Sequence, residues 1–254
     1  MIGIAPAEVG RPLCRPRSSG RGRWRIRIMY LMSWSGGKDS CLACYKAIQQ
    51  GLKVSHIVNF ISAEYKRVSF HGTPAELVRL QSEAMGIPLL QKEVQPDDYE
   101  PAFKQAVKTL IPTGIKGMVF GDIYLQEHRQ WVTRVCREMG IEAIEPLGGM
   151  RTEDILDEFI KSGFEAIIVS ARAVDKHSAY GIDKDWIGHR IDLDFINYLK
   201  QHKPYIDLCG EGGEYHTFVV NGPLFNKPVD IIRKEVIEKV TPYGKWYFLD
   251  IKPR

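Results

Sequence analysis

Six consecutive residues, Ser35-Gly36-Gly37-Lys38-Asp39-Ser40, place two glycines, a cation, an acid and two hydroxyls directly after an apolar run. Neither glycine has a Cβ, so the backbone can turn sharply there and come close to a ligand. If a helix follows, its first N–H groups and its dipole favour an anion at that point. Lys38 adds a full positive charge and Ser40 a hydroxyl. The turn is suited to holding phosphate. It differs from the commoner loop G-x-x-x-x-G-K-[ST], because a single glycine precedes Gly37-Lys38 and Asp39 follows.

Such a turn needs a strand before it and a helix after it. The pattern predicts a strand over 28–34 and a helix over 41–50 closed by Gly51, then a β-branched strand over 54–61. Thr73-Pro74-Ala75-Glu76 reads as a capping box, opening a helix with Leu77, Leu80 and Ala84 on one face and a stop at Gly86. A strand over 88–94, a helix over 99–110, a buried strand over 117–123 and a helix over 127–139 follow, the last with Trp131, Val135 and Met139 inward. This alternation predicts an α/β fold: a doubly wound, mainly parallel sheet covered by helices on both faces. Pro146-Leu147-Gly148-Gly149 marks a boundary between residues 28–146 and a smaller C-terminal α/β domain, 147–254. There the expected elements are a helix capped by Thr152, a strand over 166–170, a polar stretch, a helix over 193–200, a glycine-rich motif over 210–217 and a terminal hairpin.

The totals limit what this fold can serve. With 254 residues, 44% hydrophobic and 26% charged, the chain is an ordinary globular protein, and no apolar run of about 18 residues is present to span a membrane. The net charge of +4 comes from residues 1–28, which hold seven arginines against Glu8; the rest is slightly acidic, which argues against nucleic acid as a partner. Residues 1–27 read as a disordered basic extension, from an upstream start codon with Met29 or Met32 as the functional beginning; a targeting leader and an arginine-rich binding arm are the alternatives. Five scattered cysteines fit reduced thiols in a cytoplasmic setting. Cys41 and Cys44 fall on one helix face without a second pair, which favours core packing over a redox or iron–sulfur role.

Ser35 to Ser40 resembles the PP-loop of the N-type ATP pyrophosphatases, which split ATP between its α and β phosphates. Phe70-His71-Gly72-Thr73, Gly121-Asp122-Ile123, the segment Leu208-Cys209-Gly210-Glu211-Gly212-Gly213-Glu214-Tyr215-His216-Thr217-Phe218 and Asn221-Gly222-Pro223-Leu224-Phe225 narrow the likeness. From about residue 29 to the end the chain resembles the diphthine–ammonia ligase family, also called the ATP-binding domain 4 family. His216 stands where members usually carry an acidic residue.

The resemblance implies a HUP-like PP-loop domain and ATP-dependent amide formation on diphthine, a modified histidine of elongation factor 2. The substrate carboxylate attacks the α-phosphate, pyrophosphate leaves, and ammonia displaces AMP. Ser35, Gly36, Gly37, Lys38, Asp39 and Ser40 would hold the phosphates, with Lys38, Asp39 and Glu214 catalytic. Asp39 and Asp122 would bind Mg²⁺; capping of the next helix is the alternative for Asp122. Gly121 and His71 would line the nucleotide site, although a loop histidine is equally often exposed. Glu211, Gly212, Gly213, Glu214, His216 and Thr217 would face the PP-loop and bind the acceptor, or form only a hairpin turn. Glu211 or Glu214 would bind a cationic group or take the proton ammonia must lose. No segment resembles a glutaminase, so free ammonia is the expected nitrogen source. A different acceptor (a small acid or a tRNA base) and a non-catalytic ATP-binding regulator stay open, as does homo-oligomerisation.

Overall fold

The computed structural model describes residues 28–68, 71–174, 180–241 and 244–254; the expected basic extension and Phe70 lie outside them. The first sheet contains β1 (Met29–Ser33), β2 (Val54–Ser62), β3 (Leu89–Val94), β4 (Ile115–Val119) and β5 (Glu142–Ile144), ordered β3-β2-β1-β4-β5 with every pair parallel. Strand neighbours alternate in direction of burial. Met32, Ile57 and Val119 pack under α1 (Lys38–Gln49) and α2 (Ala75–Met85), while Leu31, Val58 and Met118 pack under α3 (Tyr99–Leu110) and α4 (Gln126–Glu138). The chain leaves β1 in one direction for β2 and β3 and returns to its other side for β4. The carboxyl ends of β1 and β4 therefore flank the point where strand order reverses, the usual ligand crevice of an open α/β sheet.

The C-terminal part begins with α5 (Thr152–Lys161) and contains α6 (Leu193–His202) and a second sheet. Its strands are β6 (Glu165–Arg172), β7 (Tyr215–Asn221), β8 (Ile231–Thr241) and β9 (Gly244–Pro253), ordered β7-β6-β9-β8 and paired antiparallel. The expected hairpin is β8 and β9. One buried cluster runs without a break from Leu42 and Leu77 to Phe159, Ile168 and Phe218, so both sheets share a core. Tyr45 meets Phe164 edge-on at 5.6 Å, and the Lys46 ammonium pairs with Glu158 at 2.7 Å across the same junction.

Two expected caps are absent. Pro74, not Thr73, precedes α2, and no side chain caps that helix. Thr73 lies beside the isolated bridge of Pro74 to Arg67; its carbonyl accepts from Val68 N at 2.8 Å, and its hydroxyl is buried without a partner. At α5 the first helical residue is Thr152 itself; Arg151 precedes it and grips Asp154 through two hydrogen bonds of 2.8 and 2.7 Å. The cap that does form was not foreseen: the Asp192 carboxylate accepts from Phe195 N at 3.0 Å at the start of α6. Asp192→Ala is expected to lower unfolding stability by about 1 kcal/mol in urea titrations, the usual effect of losing an N-cap.

Candidate active site

β1 delivers the chain to Gly36, whose φ of +83° suits glycine. A Cβ there would lie 2.6 Å from Gln81 Oε1. The hydroxyls secure the turn: Gly37 N donates to Ser35 Oγ at 3.3 Å, Ser35 Oγ to Ser40 Oγ at 3.2 Å, and Ser40 Oγ to the Gly37 carbonyl at 3.0 Å. α1 starts at Lys38, three residues earlier than the apolar pattern indicates, because Gly37 is already extended. The exit of β4 lies against this helix start; a Cβ on Gly121 would come within 3.0 Å of Asp39 C and Ser40 N. Asp122 follows at that exit, its Oδ1 3.2 Å from His128 Nδ1, and Leu125 rather than Asp122 occupies the N-cap of α4.

The second sheet closes the other side. Thr217 Oγ1 accepts from Lys38 N at 3.0 Å, and Val219 N donates to the Gly36 carbonyl at 2.9 Å. Lys38 is 2% exposed. Its ammonium pairs with Asp39 Oδ2 at 2.9 Å, donates to the Cys209 carbonyl and lies 5.0 Å from the Tyr215 ring centroid. Burial penalises both charges of the pair. For Lys38 the Asp39 charge, with Tyr215 and Cys209, outweighs that penalty and the ammonium is held protonated; for Asp39 burial prevails over Lys38 and raises the carboxyl.

The glycine-rich segment is thus a loop ahead of β7 that faces the PP-loop-like turn. Asp207, which sequence reasoning passed over, organises it: its Oδ1 accepts from Cys209 N at 2.9 Å and Glu211 N at 3.2 Å. An aspartate opening a glycine turn is a recognisable signal for this arrangement. Glu211 Oε1 accepts from Ile123 N at 3.0 Å, and Glu214 Oε1 from Asp207 N at 3.3 Å. Burial, reinforced by Asp39 and Asp122, pushes the Glu211 carboxyl up to about 7 against the Ile123 hydrogen bond. Tyr124, also missed, is raised by burial and then by Asp207.

His71 and His216 meet at 4.5 Å between ring centroids. Burial, then the Lys38 charge, lowers His71 to about 4, and burial with His71 and Lys38 lowers His216 further below its ordinary range. Both imidazoles are neutral at pH 7. Cys41, Cys44, Cys136 and Cys209 are free, buried thiols, the first two within the core.

Among the described residues, the buried side-chain polar atoms without a hydrogen-bond partner are Asp39 Oδ1, His71 Nδ1, Thr73 Oγ1, Arg172 Nε and Glu214 Oε2. Such groups are few in folded proteins. Here they belong to the helix start, the loop after β2, the end of β6 and the loop before β7, the segments that converge between the sheets. No group of three or more His, Cys, Asp or Glu suited to a metal occurs among the described residues. Magnesium does not require one, because it is commonly held by one or two carboxylates and substrate phosphates. The buried, unpartnered Asp39 Oδ1 is an oxygen donor of the kind such an ion takes. Among the described residues no helix is long and apolar enough to cross a membrane.

A parallel α/β sheet with a glycine turn and helix start at its switch point, against which an antiparallel sheet packs, defines a two-part α/β protein whose parts meet at that turn. The chain belongs to the diphthamide synthase family: residues 28–143 match the diphthamide synthase N-terminal domain and 151–253 its C-terminal domain. It is similar to the diphthine–ammonia ligase of Bos taurus, 28% identical with 84% of this chain and 85% of that protein covered. The Homo sapiens diphthine–ammonia ligase is 27% identical over the same shares. That of Schizosaccharomyces pombe is 24% identical over 86% of this chain and 38% of its own length.

Proposed function

We propose that this chain is an ATP-dependent ligase that forms a C–N bond, adenylating an acceptor carboxylate and aminating it with ammonia, with diphthine of elongation factor 2 as the acceptor. Residues 28–146 would bind ATP and 147–254 the acceptor. The observation that carries this reading is the convergence of the Gly36-Gly37-Lys38 turn and the Glu211–Glu214 loop, joined by the Lys38 contact to Cys209, with unpartnered Asp39 and Glu214 oxygens on either side. Family membership and the name shared by its relatives support it. Gly36, Gly37, Ser35 and Ser40 would bind phosphate oxygens, and Lys38 would exchange its carbonyl contact for them and stabilise charge on the departing pyrophosphate. Asp39 and Asp122 would hold Mg²⁺, which when bound neutralises phosphate charge. His71 and Gly121 would border the nucleotide; Gly212, Gly213, His216 and Thr217 would border the acceptor.

ATP, ammonium and diphthine-bearing elongation factor 2 incubated with the enzyme are expected to yield AMP and pyrophosphate together with the amide. ADP and phosphate, or no nucleotide consumption, would overturn the proposal.

Glu211, titrating near pH 7, would take the proton from ammonia after attack. Below that pH the carboxyl is protonated and cannot accept; above it the carboxylate can. At constant free ammonia, the wild-type rate is expected to rise through about pH 7. Glu211→Gln would lose that rise and run about 10²-fold slower on the plateau, the low end for a lost general base.

A further inference from the structure

Both nitrogens of Lys38 are already engaged by oxygens of the protein itself. α1 has no side-chain cap from its own N-terminus. The Lys38 N–H donates instead to Thr217 Oγ1 of β7 at 3.0 Å, a partner 179 residues away. The ammonium donates to the Cys209 carbonyl and to Asp39 Oδ2, the latter at 2.9 Å, beside the Tyr215 ring. The second sheet lies directly on the turn: a Cβ on Gly37 would come 3.1 Å from the Thr217 carbonyl oxygen and 3.3 Å from Oγ1. Lys38, Cys209, Tyr215 and Thr217 are all buried. The donors that a helix start and its lysine would offer an anion therefore face a hydroxyl and a carbonyl of the C-terminal part.

Those two acceptors sit on one segment, 209–217, built differently at its two ends. Upstream, Gly210 and Gly213 take φ of +71° and +76°, a backbone that glycine adopts freely. Downstream, Val219 N donates to the Gly36 carbonyl at 2.9 Å and the Val219 carbonyl accepts from Gln81 Nε2 at 2.7 Å. The turn contributes only an acceptor to this anchor, so an arriving anion does not compete for it. The contacts of Thr217 and Cys209 are the ones in competition. Losing them with nothing in exchange is disfavoured, because a buried N–H and a buried ammonium would each lack an oxygen. A phosphate oxygen makes the stronger, charge-assisted bond, so exchange for it is favourable.

We propose that Thr217 Oγ1 and the Cys209 carbonyl are internal stand-ins for phosphate oxygens, a strap held on Lys38 until a nucleoside triphosphate displaces it. Val219 is the fixed end and the glycines the yielding end. The assignment rests on the reading above that ATP binds at this turn.

The test uses α,β-methylene-ATP with magnesium, which resists cleavage between the α and β phosphates, titrated calorimetrically into the full chain. Thr217→Val removes the hydroxyl at nearly constant shape. It is expected to bind the analogue about threefold to tenfold tighter, the worth of one neutral hydrogen bond no longer given up. Its urea midpoint is expected to fall, because Lys38 N loses its cap. Thr217→Ser keeps the hydroxyl and is expected to keep wild-type affinity. In the wild type, the amide NMR signals of Lys38 and Thr217 are expected to shift together as the analogue saturates. Unchanged or weaker binding by Thr217→Val would overturn the strap, as would a Thr217 signal that stays fixed while Lys38 moves, or no binding at all. The NMR titration needs no variant, so it decides even if Thr217→Val does not fold. No turnover is read: a chain that behaves as expected here yet forms no AMP from ATP loses the ligase reading and keeps the strap.

Discussion

Lys38→Met is expected to abolish AMP and pyrophosphate formation, lowering kcat/KM by about 10³-fold or more, and to destabilise the fold as well. The first effect follows from removing the one full positive charge of the turn, since a single preorganised donor is worth about 10²–10³ in rate. The second follows from the pair it leaves behind. Lys38 is 2% exposed and its partner Asp39 sits in the same crevice, so loss of the ammonium strands a carboxylate. Breaking one half of a buried pair costs about 3–5 kcal/mol. The deficit should depend on pH with a defined sign. Asp39 is already held above the ordinary carboxyl value of 3.8 by burial, and without Lys38 it rises further. A carboxyl whose folded pKa exceeds its unfolded one binds more protons when folded, so the variant is least impaired at low pH and loses stability as pH rises above 3.8. Adding Asp39→Asn should restore most of the stability and none of the activity. Urea titrations across pH, beside pyrophosphate release, separate the two roles; recovered turnover in the double variant would show that Lys38 serves structure alone.

The alternation of strands and helices was legible in the first half because parallel strands buried on both faces are continuous apolar runs between glycine stops. α3 matches its expected span, 99–110, since Phe103, Ala106 and Val107 form a clean stripe. Boundaries moved where backbone geometry outranked hydropathy. β4 ends at Val119, leaving Gly121 and Asp122 in the loop where a crevice residue is useful. β5, three residues long, is too short to leave a pattern. β7 was concealed behind the glycine motif that precedes it, although Tyr215 and Phe218 enter the core. The site followed the same division. Ser35 to Ser40 and Glu211 to Glu214 carry their chemistry in local spacing. The contact of Thr217 with Lys38 is not legible there, because the packing of β7 on the turn joins residues 179 positions apart.

Gln81 belongs to neither group: it stands on the buried stripe of α2 beside Leu77, Val78 and Ala84, where a polar residue is out of place and therefore informative. It is fully buried and spans the junction. Its Oε1 accepts from Trp34 Nε1 at 2.9 Å, and its Nε2 donates to the carbonyls of Gly36 at 3.0 Å and Val219 at 2.7 Å. One amide thus ties the exit of β1, the glycine turn and β7 together. Gln81→Leu keeps the approximate volume and removes all three bonds. The Gly36 carbonyl retains Val219 N, so the uncompensated groups are the Trp34 indole and the Val219 carbonyl. At about 1–3 kcal/mol for each buried orphan, the expected loss is about 3 kcal/mol, read as a lower urea midpoint at unchanged slope. Gln81→Glu should be worse at neutral pH, because an ionised carboxylate beside two carbonyls has no cation to meet. The effect on ligand follows from the same geometry. With its carbonyl held by one bond instead of two, the Gly36 turn is less fixed before ATP arrives, and ATP affinity should fall in the folded fraction of Gln81→Leu. Loss below 1 kcal/mol with unaltered ATP affinity would mean that Val219 alone sets the turn.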